Sequence, residues 1–161
     1  MWKVKKSKVH GTGVFATQDI KNGTKIIEYI GDKVTKKEGD KRSSERIKKY
    51  LNSKISGSVY IFELNKKYDI DGSPLYNKAR YINHSCNPNC EVEGKGLKLW
   101  IFSLKDIKKD EELSYDYGFS FDEDYKQFPC KCRSKNCCGF IVREGSRWRI
   151  KRFKKQKKVN N

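Results

Sequence analysis

Asn83-His84-Ser85-Cys86-Asn87-Pro88-Asn89-Cys90 sets one of the chain's two histidines beside two of its six cysteines, in a proline-broken stretch too poor in apolar residues to be a core strand. Imidazole, thiolate and carboxamide in such a setting are site chemistry: metal ligation and directed hydrogen bonding. Glu111-Glu112-Leu113-Ser114-Tyr115-Asp116-Tyr117-Gly118 follows, and Cys130-x-Cys132-x4-Cys137 closes the informative part of the chain. Three thiols this close in sequence do not fit a rigid sheet, but a loop can fold them around one ion. Zinc binds thiolates tetrahedrally and needs a fourth ligand. Cys138 adjoins Cys137 and converges on the same ion less readily, so the fourth ligand is expected from a distance, from Cys86 first and Cys90 second. A separate structural zinc loop, or a group of unmetallated thiols, is the competing reading.

These groups need elements to position them. At 161 residues and 18.9 kDa the chain has room for one core and short appendages. Gly11-Thr12-Gly13 turns into Val14-Phe15-Ala16, and Lys21-Asn22-Gly23 turns into Ile26-Ile27-Glu28-Tyr29-Ile30, two short strand signals, the second ended by Gly31. From about Lys36 to Asn52 the run is charged, with Ile47, Tyr50 and Leu51 at helical spacing, which predicts one sizeable helix with a narrow apolar stripe. Val59 to Leu64 and Tyr68 to Ile70 read as a strand pair around Asn65-Lys66-Lys67, and Leu97, Leu99 and Ile101 alternate as in a half-buried strand. The expected class is mostly β, a β-rich α+β domain. A weak echo relates Asp19-Ile20-Lys21 to Asp106-Ile107-Lys108, which shared turn chemistry explains without duplication. Beyond Phe140 a basic stretch with Trp148, Ile150 and Phe153 is either a short docked helix or a tail.

Lys and Arg number 37 against 20 Asp and Glu, a net charge of +17, heaviest from Arg147 to Lys158. That charge makes nucleic acid an expected neighbour of the surface and tail, with a solvated Lys-rich skin as the bland alternative. The basic start, Met1 to Lys8, leads into no apolar run of signal-peptide length, and runs such as Leu99-Trp100-Ile101-Phe102 are too short to cross a bilayer. A cytoplasmic or nuclear monomer, neither secreted nor membrane-bound, is expected. In a reducing compartment its cysteines are metal ligands rather than disulfides.

Taken together, the three blocks resemble the SET-domain family of protein lysine methyltransferases with a cysteine-rich post-SET segment. The resemblance runs from about Lys8 to Ile141. It implies small twisted sheets with a threaded, knot-like core, in which the Asn-His-Ser-Cys segment and the Tyr-Asp-Tyr strand cross. The implied divisions are a SET domain over residues 1–121, a zinc-binding post-SET loop over 122–142 and a basic tail over 143–161. The implied reaction is methyl transfer from S-adenosylmethionine to a lysine amine of a protein substrate, plausibly a histone or another nucleic-acid-associated basic protein. In that frame His10, Gly11, Thr12, Gly13, Tyr60, Asn83 and His84 hold the cofactor. Tyr117 is the catalytic tyrosine, Tyr29 lines a lysine channel, and Tyr115 governs how many methyls are added. Cys86, Cys130, Cys132 and Cys137 hold zinc, and residues 38–57 line the peptide groove. Two departures stand out: Tyr76 where a glycine is usual before Asn77, and Cys138 where arginine is usual, leaving a free thiol or a substitute ligand. A catalytically silent, zinc-bearing nucleic-acid binder on the same scaffold is the alternative function.

Overall fold

The computed structural model describes residues 1–53 and 59–150, excluding the side chains of 51–53. In chain order the elements are β1 (Trp2–Lys6), β2 (Thr12–Ala16), β3 (Lys25–Tyr29), β4 (Asp32–Thr35), α1 (Lys36–Ser53), β5 (Ile61–Glu63) and β6 (Tyr68–Asp71). After a 3-10 turn at Lys78–Tyr81 come β7 (Asn83–His84), β8 (Cys90–Lys95), β9 (Lys98–Ser103) and β10 (Ser114–Tyr115), with further 3-10 turns at Tyr125–Gln127 and Glu144–Ser146. The strands form four small sheets: β1-β2, β3-β9-β8, β4-β6-β5 and the parallel pair β10-β7. The domain is mostly β, as expected.

Alternation places the core. Leu99, Ile101 and Ser103 of β9 face inward against Tyr29, Ile26, Val14 and Ala16. Leu97 does not continue that pattern; it is 62% exposed, because Gly96 adopts φ +64° to turn β8 into β9 and carries its neighbour outside the strand. β1 is an element that the hydropathy pattern misses. Its Lys-Val-Lys-Lys run is largely exposed, and it is a strand because every residue from Trp2 to Lys6 pairs with β2.

α1 lies where the sequence predicts it, but its attachment differs. Ile47 and Tyr50 are only half-buried. The helix is fastened to β6 by charge: Arg42 and Arg46 both reach the Asp71 carboxylate at 2.9 Å, and Lys36 reaches Asp69 at 2.7 Å. The echoed tripeptides turn out to be partners. Ile20 and Ile107 exchange two backbone hydrogen bonds of 2.8 Å, Lys21 pairs with Asp106 at 2.9 Å, and Lys108 pairs with Asp19 at 3.0 Å.

A second, smaller core gathers Cys86, Cys138, Val142 and Ile150, with Tyr125 and Phe140 against it. Of the stretch read as a tail, residues 143–150 dock here as a 3-10 turn and the start of a helix, with Ser146, Arg147 and Ile150 buried. Residues 151–161, including Phe153 and most of the basic run, lie outside the described residues. No helix among the described residues is long and apolar enough to cross a membrane.

Candidate active site

The site is built on the β7-β10 pair, which aligns Asn83 with Ser114 and His84 with Tyr115. The Asn-His-Ser-Cys and Tyr-Asp-Tyr segments are therefore adjacent, and Asn89 ties them further. Its buried carboxamide accepts from the Ser114 N–H at 2.8 Å and donates to the Glu112 carbonyl at 2.9 Å. That second asparagine is a structural member of the site that motif reading passed over.

A cleft of about 540 Å³ opens beside this pair, and its lining includes His10, Gly11, Thr12, Tyr60, Asn83, His84 and Tyr117. Gly13 is not on that wall. It stands behind it, where a Cβ would collide with the Glu112 carboxylate, so its need for glycine comes from packing rather than from the cleft. Asn83 donates its amide to Glu112 Oε1 at 2.7 Å and to the Thr12 carbonyl at 3.1 Å, which fastens the glycine turn to the site. Ser7 holds the same carboxylate from the other side at 2.8 Å. The opposite wall carries Phe119, Phe128, Cys130 and Lys131, and Arg80 stacks 4.3 Å over the Tyr60 ring with its buried Nε unpaired. Phe119 and Phe128 carry no motif signal beyond being aromatic near one, whereas Arg80 lies within the Asn77-x-Ala79-Arg80 stretch that fits the family.

A second cleft of about 600 Å³ lies across the strand from the first, lined by Phe62, Glu63, Leu64, Glu91, Val92, Asp116, Tyr117 and Glu144 among others. Tyr117 is common to both. Its hydroxyl donates to the Ile82 carbonyl at 3.0 Å, and that of Tyr29 donates to the Tyr60 carbonyl at 3.0 Å. Tyr29, Phe62, Tyr115 and Tyr117 form a continuous aromatic file with centroid spacings of 4.6, 5.6 and 5.0 Å. Burial pushes the phenols of Tyr29, Tyr115 and Tyr117 well above the ordinary range, so all three stay protonated. Among the described side chains of residues 38–57, Tyr50 is the one that lines either of these clefts, the first; the side chains of 51–53 and residues 54–57 lie outside the described set.

His84 joins this site to the cysteines. Its Nδ1 accepts the Tyr117 N–H at 3.2 Å, which leaves the proton of a neutral ring on Nε2, 3.6 Å from Cys86 Sγ. The side chain thus links the Tyr117 backbone to Cys86 while the residue also lines the first cleft. The Sγ atoms of Cys86, Cys130, Cys132 and Cys137 lie within 4.8 Å of one another. Cys86 is 3.9 Å from both Cys130 and Cys137, close to the roughly 3.8 Å edge that a tetrahedron of 2.3 Å zinc–sulfur bonds requires. Backbone N–H groups of Cys86, Cys132 and Gly139 point at the thiols of Cys132, Cys130 and Cys137, each at 3.4 Å, as suits thiolates. The hydrogen bond with Cys130, seconded by His84, holds the Cys86 thiol far below its usual range. This cluster suits a metal ion. The two leftover thiols differ: burial pushes Cys90 up to about 12 inside the main core, and Cys138 packs beside Cys86 in the smaller core but donates its S–H to the Phe140 carbonyl at 3.2 Å.

Comparison with known proteins agrees with this geometry. A model of the SET domain matches residues 11–118. The chain is 39% identical over 142 residues to the H3 lysine-4 specific histone-lysine N-methyltransferase of Aspergillus oryzae, covering 84% of this chain and 11% of that protein. It is 39% identical over 136 residues to the histone-lysine N-methyltransferase trr of Drosophila melanogaster, and 38% identical over 136 to histone-lysine N-methyltransferase 2D of Homo sapiens. Those matches take in 82% of this chain but 5% and 2% of the two proteins. The chain therefore spans about a tenth or less of the length of the curated relatives it matches.

Proposed function

Because the chain belongs to the SET-domain family, we propose that it transfers a methyl group from S-adenosylmethionine to the side-chain amine of a protein lysine, with a histone tail as the first substrate to test. The observation that carries this reading is Tyr117, the one residue that lines both described clefts, as a group acting between a cofactor and a substrate must. The relatives' names extend it to histones, and those of two Aspergillus relatives to lysine 4 of histone H3. A nuclear setting follows from a histone substrate. The net charge of +17 favours nucleic acid bound to that substrate as a second partner.

The first cleft fits the cofactor. Its volume falls within the usual ~300–1,000 Å³ for small-molecule sites. Its aromatic and backbone lining suits a purine with an amino-acid tail. S-adenosylmethionine supplies an electrophilic methyl on a sulfonium. The second cleft fits a basic peptide: in a strongly cationic chain it presents Glu63, Glu91 and Glu144, and β5 along its rim is an edge strand able to pair with an extended segment.

A free lysine titrates near ~10.4 and must be neutral to accept a methyl. Phe62, Leu64 and Val92 disfavour the ammonium by desolvation. The protonated tyrosines are not bases here. The Tyr117 hydroxyl has committed its hydrogen to Ile82 and offers only lone pairs, so it accepts an N–H of the amine and turns the nitrogen lone pair toward the first cleft. Its contribution is positioning and electrostatics. Residues 1–121 would form the catalytic body. Zinc on Cys86, Cys130, Cys132 and Cys137 would pin the 122–142 loop, whose Phe128, Cys130 and Lys131 wall the cofactor cleft.

Incubating the protein with methyl-labelled S-adenosylmethionine and either histone H3 or total cell protein tests the reading. Label on lysine, lost in Tyr117→Phe, is expected. No transfer to any protein, together with retained nucleic-acid binding, would favour a silent scaffold instead.

A further inference from the structure

Resting on the methyl-transfer reading, we propose that Arg147 is a positioning residue for that site, a clamp from outside the family match that holds Asp116 and so fixes the turn bearing Tyr117. Residues 11–118 carry the match, and Arg147 lies well beyond them, in the stretch whose composition reads as a solvated basic tail. It is instead 6% exposed.

All three guanidinium nitrogens are engaged. Nε donates to the Val142 carbonyl at 2.8 Å, Nη1 to the Cys86 carbonyl at 2.6 Å, and Nη2 to Asp116 Oδ2 at 2.6 Å. One planar fork thus joins the docked C-terminal segment, the Asn-His-Ser-Cys loop and the Tyr-Asp-Tyr strand end. Burying an arginine is unfavourable unless its charge and donors are all met, so a buried and fully bonded one marks a junction the fold depends on.

Asp116 transmits the hold. Its Oδ2 also accepts the Glu144 N–H at 2.9 Å, and its Oδ1 accepts the Gly118 N–H at 3.0 Å, closing the turn around Tyr117. Oδ1 stands 3.7 Å from His84 Nδ1, the atom that accepts the Tyr117 N–H. With Oδ2 secured by Arg147 and Glu144, Oδ1 stays on Gly118 and the imidazole stays with Tyr117. Released, the carboxylate can swing away from the Gly118 N–H, the turn opens, and the Tyr117 N–H drifts from its inner anchor on His84 Nδ1.

The test compares Arg147→Ala, Arg147→Lys, Asp116→Asn and the double variant in the full chain. Arg147→Ala is expected to lower kcat ~10-fold or more while cofactor Kd and zinc content stay near wild type, a split that simple destabilisation does not produce. Arg147→Lys should not restore it, since an ammonium cannot bond three diverging acceptors in one plane. The double variant should be about as slow as Asp116→Asn alone, because the two act as one unit. Hydrogen exchange supplies a readout free of activity: the Tyr117 amide should exchange ~10-fold faster in Arg147→Ala while β9 amides keep their protection. Unchanged kcat, losses that add in the double variant, or unchanged Tyr117 exchange would each overturn the clamp. Should Arg147→Ala fail to fold, Arg147→Lys and Asp116→Asn carry the same comparison. A wild type without methyl transfer would instead remove the functional reading, and the exchange measurement would still decide the clamp.

Discussion

The Tyr117 hydroxyl is held by one backbone carbonyl and set among rings, so removing it subtracts one oriented acceptor and the single hydrogen bond to Ile82. Tyr117→Phe is expected to reduce turnover by on the order of 10²-fold with cofactor affinity nearly unchanged; isothermal titration beside single-turnover kinetics separates the two. Full activity in that variant would pass the role to Tyr29 or Tyr115. Tyr115 stands next in the aromatic file, 5.0 Å from Tyr117, and on the proposed reading its hydroxyl would take up space where added methyls must fit. The wild type should therefore stop mainly at one or two methyls, and Tyr115→Phe should shift the product toward three. Product masses showing rapid trimethylation in both forms would refute this. At this scale the motifs pointed to residues that the fold brings near one another: Tyr60, Asn83, His84 and Tyr117 line the first cleft, whereas Tyr29 and Tyr115 line neither described cleft and join Tyr117 only through the aromatic file. Their partners were not legible. That the His84 ring faces Tyr117 and Cys86, and that Gly13 yields to Glu112, depends on a parallel strand pairing that no local pattern encodes.

Elements were legible in proportion to how far local chemistry decides them. Turn glycines and alternation located β2, β3, β5, β6 and β9, while β1 was hidden because pairing with β2, not burial, makes it a strand. α1 was visible as a helix, yet its docking was not, because its apolar stripe is secondary to ion pairs with residues some thirty positions away in sequence. Asp71 is fully buried, and its carboxyl is held well below the usual range: burial opposes this, but the hydrogen bonds from Arg46, Arg42 and Ser73 outweigh it. Asp71→Asn strands two arginines that are themselves partly solvated, so a loss of about 2–3 kcal/mol is expected by urea denaturation, at the lower edge of values for a broken buried pair. The pH dependence has a defined sign. The folded pKa is depressed, so the stabilisation is complete above the unfolded value near ~3.9 and is lost as pH falls through the folded value. Wild-type stability should thus drop below about pH 4, and Asp71→Asn should show a shallower drop; parallel curves would exclude Asp71 as the source.

Across the whole molecule the chain has two cores, and Cys86 bridges them. It belongs to the Asn-His-Ser-Cys segment of the main body by sequence, yet it is buried with Cys138, Val142 and Ile150 in the smaller core, against the three loop cysteines. Sequence spacing nominated the three loop cysteines and left the fourth position to Cys86 or Cys90, between which the family resemblance chose Cys86. That the second core is built around them, and that residues 143–150 complete it, required the fold. A small cluster with few aliphatic side chains has little apolar area to stabilise it, so a bound metal should supply much of its folding free energy, whereas the main core, with Val14, Ile82, Ile101, Ile107 and Leu113 fully buried, should stand without it. Chelation should therefore open the molecule in two stages. Amides of residues 122–150 should lose exchange protection and activity should vanish, while β3, β8 and β9 keep their protection and most strand circular dichroism survives. Cys86→Ser and Cys132→Ser should each release about one zinc per chain and reproduce the first stage. If chelation instead melts β9 together with the loop in one transition, the metal is part of a single cooperative core. If zinc persists in Cys86→Ser, the bridge between the two cores is not made through the metal at all.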